Sequence, residues 1–151
     1  MAVSTGGAGT DLQLGVYWPQ DSWDLARSAY VADLDTNPDA PGAFVKWLAQ
    51  AIERHAARTP AERAVLEEQI PERSGIRGSS RGHRVGSDTI ATIDRAVIAD
   101  RRELARIVSR SAFVLEAVNA AASESRKRLG RPLPPPPRRL ASRPPRRLPS
   151  S

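Results

Sequence analysis

The chain has 151 residues, no cysteine and a net charge of +6, which suits one modest domain with a small core and excludes disulfides and thiolate metal sites. No apolar run approaches the roughly 20 residues of a membrane span, and residues 1–10 lack the basic and apolar regions of a secretory signal, so a cytoplasmic location is expected. Nine of the 23 basic residues lie in residues 126–151, which hold no carboxylate, leaving 14 basic against 17 acidic residues in the rest. That asymmetry points either to contact with nucleic acid or another polyanion, or to a solubilising, unstructured terminus.

In chain order, residues 1–10 are rich in Gly, Ser, Thr and Ala and are expected to be disordered. Leu12, Leu14, Val16 and Trp18 then alternate with Gln13, Gly15 and Tyr17, the pattern of a short strand with one apolar face. No other segment has a clear period of two, and a lone strand leaves its backbone groups unpaired. It therefore needs a partner, from a second chain or from elsewhere in this one. Pro19 ends the pairing and leads into a helix over about 22–34, with Trp23, Ala26, Tyr30 and Leu34 on one face. A loop over 35–42 precedes a second helix over about 42–58, where Phe44, Trp47, Leu48, Ala51, Ile52 and His55 share a face. Thr59-Pro60-Ala61-Glu62 combines an N-cap, a first-turn proline and a capping-box glutamate, so an extra helix is expected within 59–72.

Residues 73–86 read as a Gly/Ser/Arg linker or a degenerate strand. Ser87 or Asp88 then caps a helix to about Leu104, with Ile90, Ile93, Val97 and Leu104 on one face. Ser109-Arg110-Ser111 opens the last helix, with Phe113, Ala117, Val118 and Ala121 inward. Residues 130–151 are rich in Pro and Arg, Pro134–Pro137 favour polyproline II, and the segment is expected to be a disordered tail. There is also a weak internal repeat. Ala43-Phe44-Val45 recurs as Ala112-Phe113-Val114, and matching Trp23 to Ile90 aligns Tyr17 with Arg84, Val16 with His83 and Trp18 with Val85.

The strand closed by Pro19, with Asp24-Leu25-Ala26-Arg27 in the first helix and Phe44–His55 as the second, resembles the ribbon-helix-helix (MetJ/Arc-type) family of DNA-binding proteins. The run from Val108 to Val118 resembles the second helix of the same fold. The resemblance implies a mainly α fold with a short β-ribbon, as unit 11–58 and a second helix pair over 87–129, either as tandem copies in one chain or as a homodimer or higher oligomer. A second copy around residues 80–85 would supply the partner strand within the molecule; without it, the strand pairs in a symmetric homodimer.

The resemblance further implies that the ribbon enters the major groove of double-stranded DNA. Outward residues would read bases: Gln13, Gly15 and Tyr17 in the first half, Ser80, Gly82 and Arg84 in the second. Gln suits adenine and Arg suits guanine, whereas glycine reads nothing. Phosphates would meet backbone N–H groups at the starts of the second helices, Gly42-Ala43-Phe44 and Arg110-Ser111-Ala112, with Arg27 and Lys46 as further contacts or as surface ion pairs. Asp33-Leu34-Asp35-Thr36-Asn37 resembles the start of a calcium loop, but Pro38 and Phe44 stand where that loop needs Gly and Glu. Trp18, Trp23 and Trp47 are phased inward as core. No nucleophile elbow, phosphate loop or metal spacing is present, so no enzyme and no cofactor are expected. The expected role is a sequence-specific, nucleoid-associated regulator or repressor, or a plasmid or chromosome partition factor. The alternative is an antitoxin or adaptor that binds a toxin or a partition ATPase through the tail.

Overall fold

A computed structural model describes residues 10–70 and 77–140. Strand β1 (Asp11–Trp18) leads into α1 (Gln20–Thr36), α2 (Phe44–Ala57) and α3 (Pro60–Glu68). Strand β2 (Ser79–Gly86) leads into α4 (Ser87–Leu104) and α5 (Arg110–Leu129). The two strands pair antiparallel over their full lengths, from Asp11 opposite Gly86 to Trp18 opposite Ser79. The strand that reads alone in the sequence thus finds its partner in the same chain, and its pairing needs no second molecule. The disorder expected of residues 1–9 and 141–151 and the part of the linker or degenerate strand expected over 73–76 lie outside the described residues, as do residues 71–72.

Local chemistry sets the boundaries. Pro19, with φ fixed near −60°, occupies the N-cap position of α1 and accepts from the Trp23 N–H, so this helix starts two residues earlier than its apolar periodicity suggests. At α3 the capping box is complete: Glu62 N–H donates to Thr59 Oγ1 at 3.1 Å, and Thr59 N–H donates to Glu62 Oε1 at 2.8 Å. Ser109 caps α5, and Gly130, in the left-handed region at φ 73°, ends it. Gly78 is required by close approach, since a Cβ there would lie 1.7 Å from the Trp18 carbonyl oxygen.

One face of the ribbon closes the core. Leu14, Val16 and Trp18 on β1 and Val85 on β2 are buried with Trp23, Tyr30, Phe44, Trp47, Ile93, Phe113 and Val118. Helix α5 is central, packing against α1, α2, α3, α4 and β1. Its alanines at 117, 120, 121 and 122 are buried and let neighbouring helices approach closely. All three tryptophans are core residues, and Trp18 donates from Nε1 to His83 Nε2 at 2.9 Å.

Two buried polar clusters tie the helices together. In the first, Asp100 on α4 accepts from Arg63 on α3 and from Arg106 in the α4–α5 turn, at 2.8 and 2.6 Å. Arg63 also donates to the α2 C-terminal carbonyls of His55, Ala56 and Arg58. Arg106 reaches Glu116 at 2.7 Å, and Glu116 meets His55 Nε2 at 2.9 Å. Arg58 can only donate to His55 Nδ1, so Nε2 carries the proton and donates to Glu116. Burial holds His55 neutral, below its ordinary pKa. Burial alone would raise Glu116, but hydrogen bonds from His55 and Arg106 overcome it and hold the carboxyl below its usual range. Ala105, left-handed at φ 53°, makes the turn that presents Arg106. In the second cluster, Asp33 accepts from Trp47 Nε1 at 2.8 Å, Ser125 at 3.0 Å and Arg128 at 3.1 Å. Asp33, which opens the calcium-loop-like run, is thus a buried link between α1, α2 and α5.

The expected ribbon-helix-helix fold is corrected on these findings, as is the disorder expected of residues 131–140. The chain is mainly α, with five helices and one two-stranded antiparallel sheet. Helix α3 belongs to the body, supplying Arg63 to its interior. Residues 131–140, assigned by composition to the disordered tail, run along the body instead. Leu133 packs against the core, and Arg27 donates to the Pro137 carbonyl. Proline-rich chain builds no core of its own, but its free carbonyls accept from a neighbouring arginine.

Candidate nucleic-acid interface

Pleating divides the ribbon into two faces. Leu14, Val16, Trp18, His83 and Val85 are buried, whereas Gln13, Gly15, Tyr17, Ser80, Gly82 and Arg84 are exposed on the other side. The register places these six residues opposite one another in three pairs: Gln13 with Arg84, Gly15 with Gly82, and Tyr17 with Ser80. Side chains opposite each other in an antiparallel pair have Cβ atoms about 5 Å apart, so Gln13 and Arg84 together span no more than one or two base-pair steps.

The glycine pair leaves the middle of this face low. Nothing lies within 4 Å of a Cβ built on Gly15, whereas a Cβ on Gly82 would meet the Gln13 amide nitrogen at 1.9 Å. The Gln13 side chain therefore lies across the space that Gly82 leaves. Arg84 donates to the Asp11 carbonyl at 3.3 Å. The Tyr17 hydroxyl accepts from Gly78 N–H at 3.1 Å, which lays the phenol along the end of the ribbon.

Helix starts flank the ribbon. Tyr17 N–H donates to Ser111 Oγ at 3.0 Å, anchoring the first turn of α5 beside β1. Of the groups expected to meet phosphate at this helix, the Ala112 N–H and the Arg110 side chain are already engaged. Ala112 N–H donates to Ser109 Oγ at 3.0 Å, and Arg110 forms a bidentate pair with Asp94 at 2.8 and 2.7 Å. This pairing with Arg110 holds the Asp94 carboxyl below its usual range and raises Arg110. At α2 the arrangement differs. Ala43 occupies the N-cap position and offers no side-chain cap, and the first turn carries no acidic residue. Gly42 contributes its carbonyl to the Tyr30 hydroxyl at 3.2 Å, while Phe44 is buried in the core. Arg27 is committed to Asp24 and the Pro137 carbonyl.

Two features of the interface are invisible to motif reading. Asp94 neutralises Arg110 from sixteen residues away. Arg81, phased toward the core side of a strand end, has its guanidinium 4.3 Å from the centroid of the Trp23 ring. Among the described residues, no helix is long and apolar enough to cross a membrane. Comparison with known proteins finds no matching family model, curated protein or solved structure, so none assigns the chain to the ribbon-helix-helix family or to any other.

Proposed function

We propose that this protein is a sequence-specific double-stranded DNA-binding protein that lays its two-stranded ribbon in the major groove, acting as a transcriptional regulator or as a centromere-binding partition factor. The observation that carries this reading is the outer face of the ribbon, where Gln13 stands opposite Arg84 and Tyr17 opposite Ser80, with the apolar residues turned to the core. The major groove, about 12 Å wide, admits a two-stranded ribbon. A glutamine read against adenine and an arginine read against guanine each discriminate by about 1–3 kcal/mol. Gly15 leaves the β1 side of the centre open, and Gln13, lying over Gly82, swings out on docking, so that Gln13 and Arg84 on one side and Tyr17 and Ser80 on the other reach the bases.

The uncapped first turn of α2 supports the same reading, since its N–H groups and helix dipole favour a phosphate. The halves of the ribbon face carry different side chains, so the preferred site is not a palindrome. The test is a fluorescence-anisotropy titration of the full chain against a mixed-sequence duplex and the matching single strand, from low to moderate KCl. Duplex binding that weakens steeply with salt and exceeds single-strand binding is expected. No duplex binding at any salt concentration sinks the proposal.

A further inference from the structure

At the Trp18–Ser79 end of the ribbon, the described part of the C-terminal segment returns to the body and closes a cleft with α1 and β2. Its lining brings together Arg27, Arg81, Arg138 and Arg139 around Trp23 and Gln20, with no carboxylate among the lining residues. Arg27 and Arg81 both lie against the Trp23 ring, at 5.4 and 4.3 Å from its centroid. Arg27 is held by Asp24 and the Pro137 carbonyl, and its Nε is buried without a hydrogen-bond partner. Arg81, Arg138 and Arg139 form no ion pair among the described residues. Asp24 answers Arg27 and also accepts from Gln20 at 2.9 Å, but it leaves the other three guanidinium groups without an ion-pair partner; their mutual repulsion is relieved by an anion seated among them.

The other end of the ribbon lacks these groups. Gln20, Trp23 and Arg27 are the first, fourth and eighth residues of α1, and the same places in α4 hold Ser87, Ile90 and Asp94. Where α1 carries an arginine, α4 carries a carboxylate, and no proline-rich segment is found against it among the described residues.

We propose that Arg81, Arg138 and Arg139, steadied by Arg27 and Trp23, receive a phosphate of the DNA backbone beside one end of the ribbon, so that the protein grips its duplex asymmetrically. The planar fork of arginine matches phosphate oxygens two at a time. This inference rests on the duplex-binding reading and names a contact outside the ribbon face.

The test uses the full chain and three variants: R138A/R139A, R81A and the triple combination. The exposed pair R101A/R102A at the far end of α4 removes equal charge as a control. Each phosphate contact contributes about 0.9 to the slope of log K against log salt. R138A/R139A is expected to reduce that slope by up to about 0.9, the share of one phosphate, and the control to leave it nearly unchanged. Arg81 and the pair serve one phosphate, so the triple variant is expected to lose clearly less affinity than the product of the separate losses. Equal effects of the two double variants, or strictly multiplicative losses, overturn the shared receptor and leave duplex binding standing. A wild-type chain that binds no duplex overturns both. Calorimetry with inorganic phosphate is the remaining arm: saturable binding below millimolar, abolished by R138A/R139A, assigns the cleft to a free phosphate and overturns the backbone contact.

Discussion

Replacing Asp100 by leucine tests the buried charge cluster that locks α3 and α4 to α5. Asp100 is fully buried and accepts four hydrogen bonds, three from Arg63 and one from Arg106. The two shortest, at 2.8 and 2.6 Å, are charge-assisted, and such bonds contribute about 1.5–3 kcal/mol each. Loss of the carboxylate leaves Arg63, itself buried, with backbone carbonyls at the end of α2 and at Ala96 as its partners and no counter-charge. Breaking one side of a buried pair costs about 3–5 kcal/mol, a large share of a stability of about 5–15 kcal/mol for a domain of this kind. Urea unfolding followed by tryptophan fluorescence reads the change directly. The double variant Arg63→Met with Asp100→Leu is expected to cost less than the sum of the singles, because it removes the charge together with its partner. A loss below about 1 kcal/mol for Asp100→Leu, or a strictly additive double variant, refutes the argument.

Further outcomes follow from the same structure. Burial holds His55 and His83 below their ordinary pKa, and the charge of Arg81 adds to the effect at His83. Below about pH 6.5 the unfolded chain therefore takes up protons that the folded chain does not, and stability falls by up to about 1.4 kcal/mol per pH unit for each ring. Urea midpoints between pH 7.5 and 5 measure this; His83→Gln should flatten the profile, and a profile parallel to wild type contradicts it. Glu116 acts lower still: with its pKa depressed in the fold, it contributes stability that is full above the usual carboxylate pKa and is lost as the pH falls from there through the lowered folded value. Gly78→Ala is expected to cost about 1–3 kcal/mol through overpacking against the Trp18 backbone, whereas Gly15→Ala should leave thermal stability unchanged or slightly raised; equal melting temperatures for the two variants would count against the close approach. Asp94→Ala frees Arg110 from its bidentate partner, and duplex affinity at low salt should rise by about threefold to tenfold. Unchanged affinity would show that Arg110 stands away from the DNA.

Much of the scaffold is legible in the sequence because its signals are local. The alternation over β1, the capping box at Thr59 and the Ser109 cap each depend on residues within a few positions of one another. Strand β2 is harder to see. Only His83 and Val85 are buried along Ser79–Gly86, so the period of two is nearly erased, and the segment is a strand because β1 offers it a full-length partner. The outward positions of the two strands nevertheless share one face, since a period-two assignment on either strand fixes which residues point the same way; the antiparallel register reverses the aligned pairs, setting Tyr17 opposite Ser80 and Gln13 opposite Arg84. Nothing in the spacing of Arg63, Asp100, Arg106 and Glu116 reveals that they converge from different elements. The same holds for Arg110, whose partner Asp94 lies on the preceding helix, and for Pro137, whose role depends on its carbonyl rather than its ring.

The most direct test of DNA recognition is selection from a random-sequence duplex library with the wild-type chain and with Arg84→Ala. The account predicts a single enriched, non-palindromic motif for the wild type, and loss of preference at its guanine position in the variant while binding to duplex persists. An unenriched pool, or a motif unchanged by Arg84→Ala, would contradict base reading by the ribbon face.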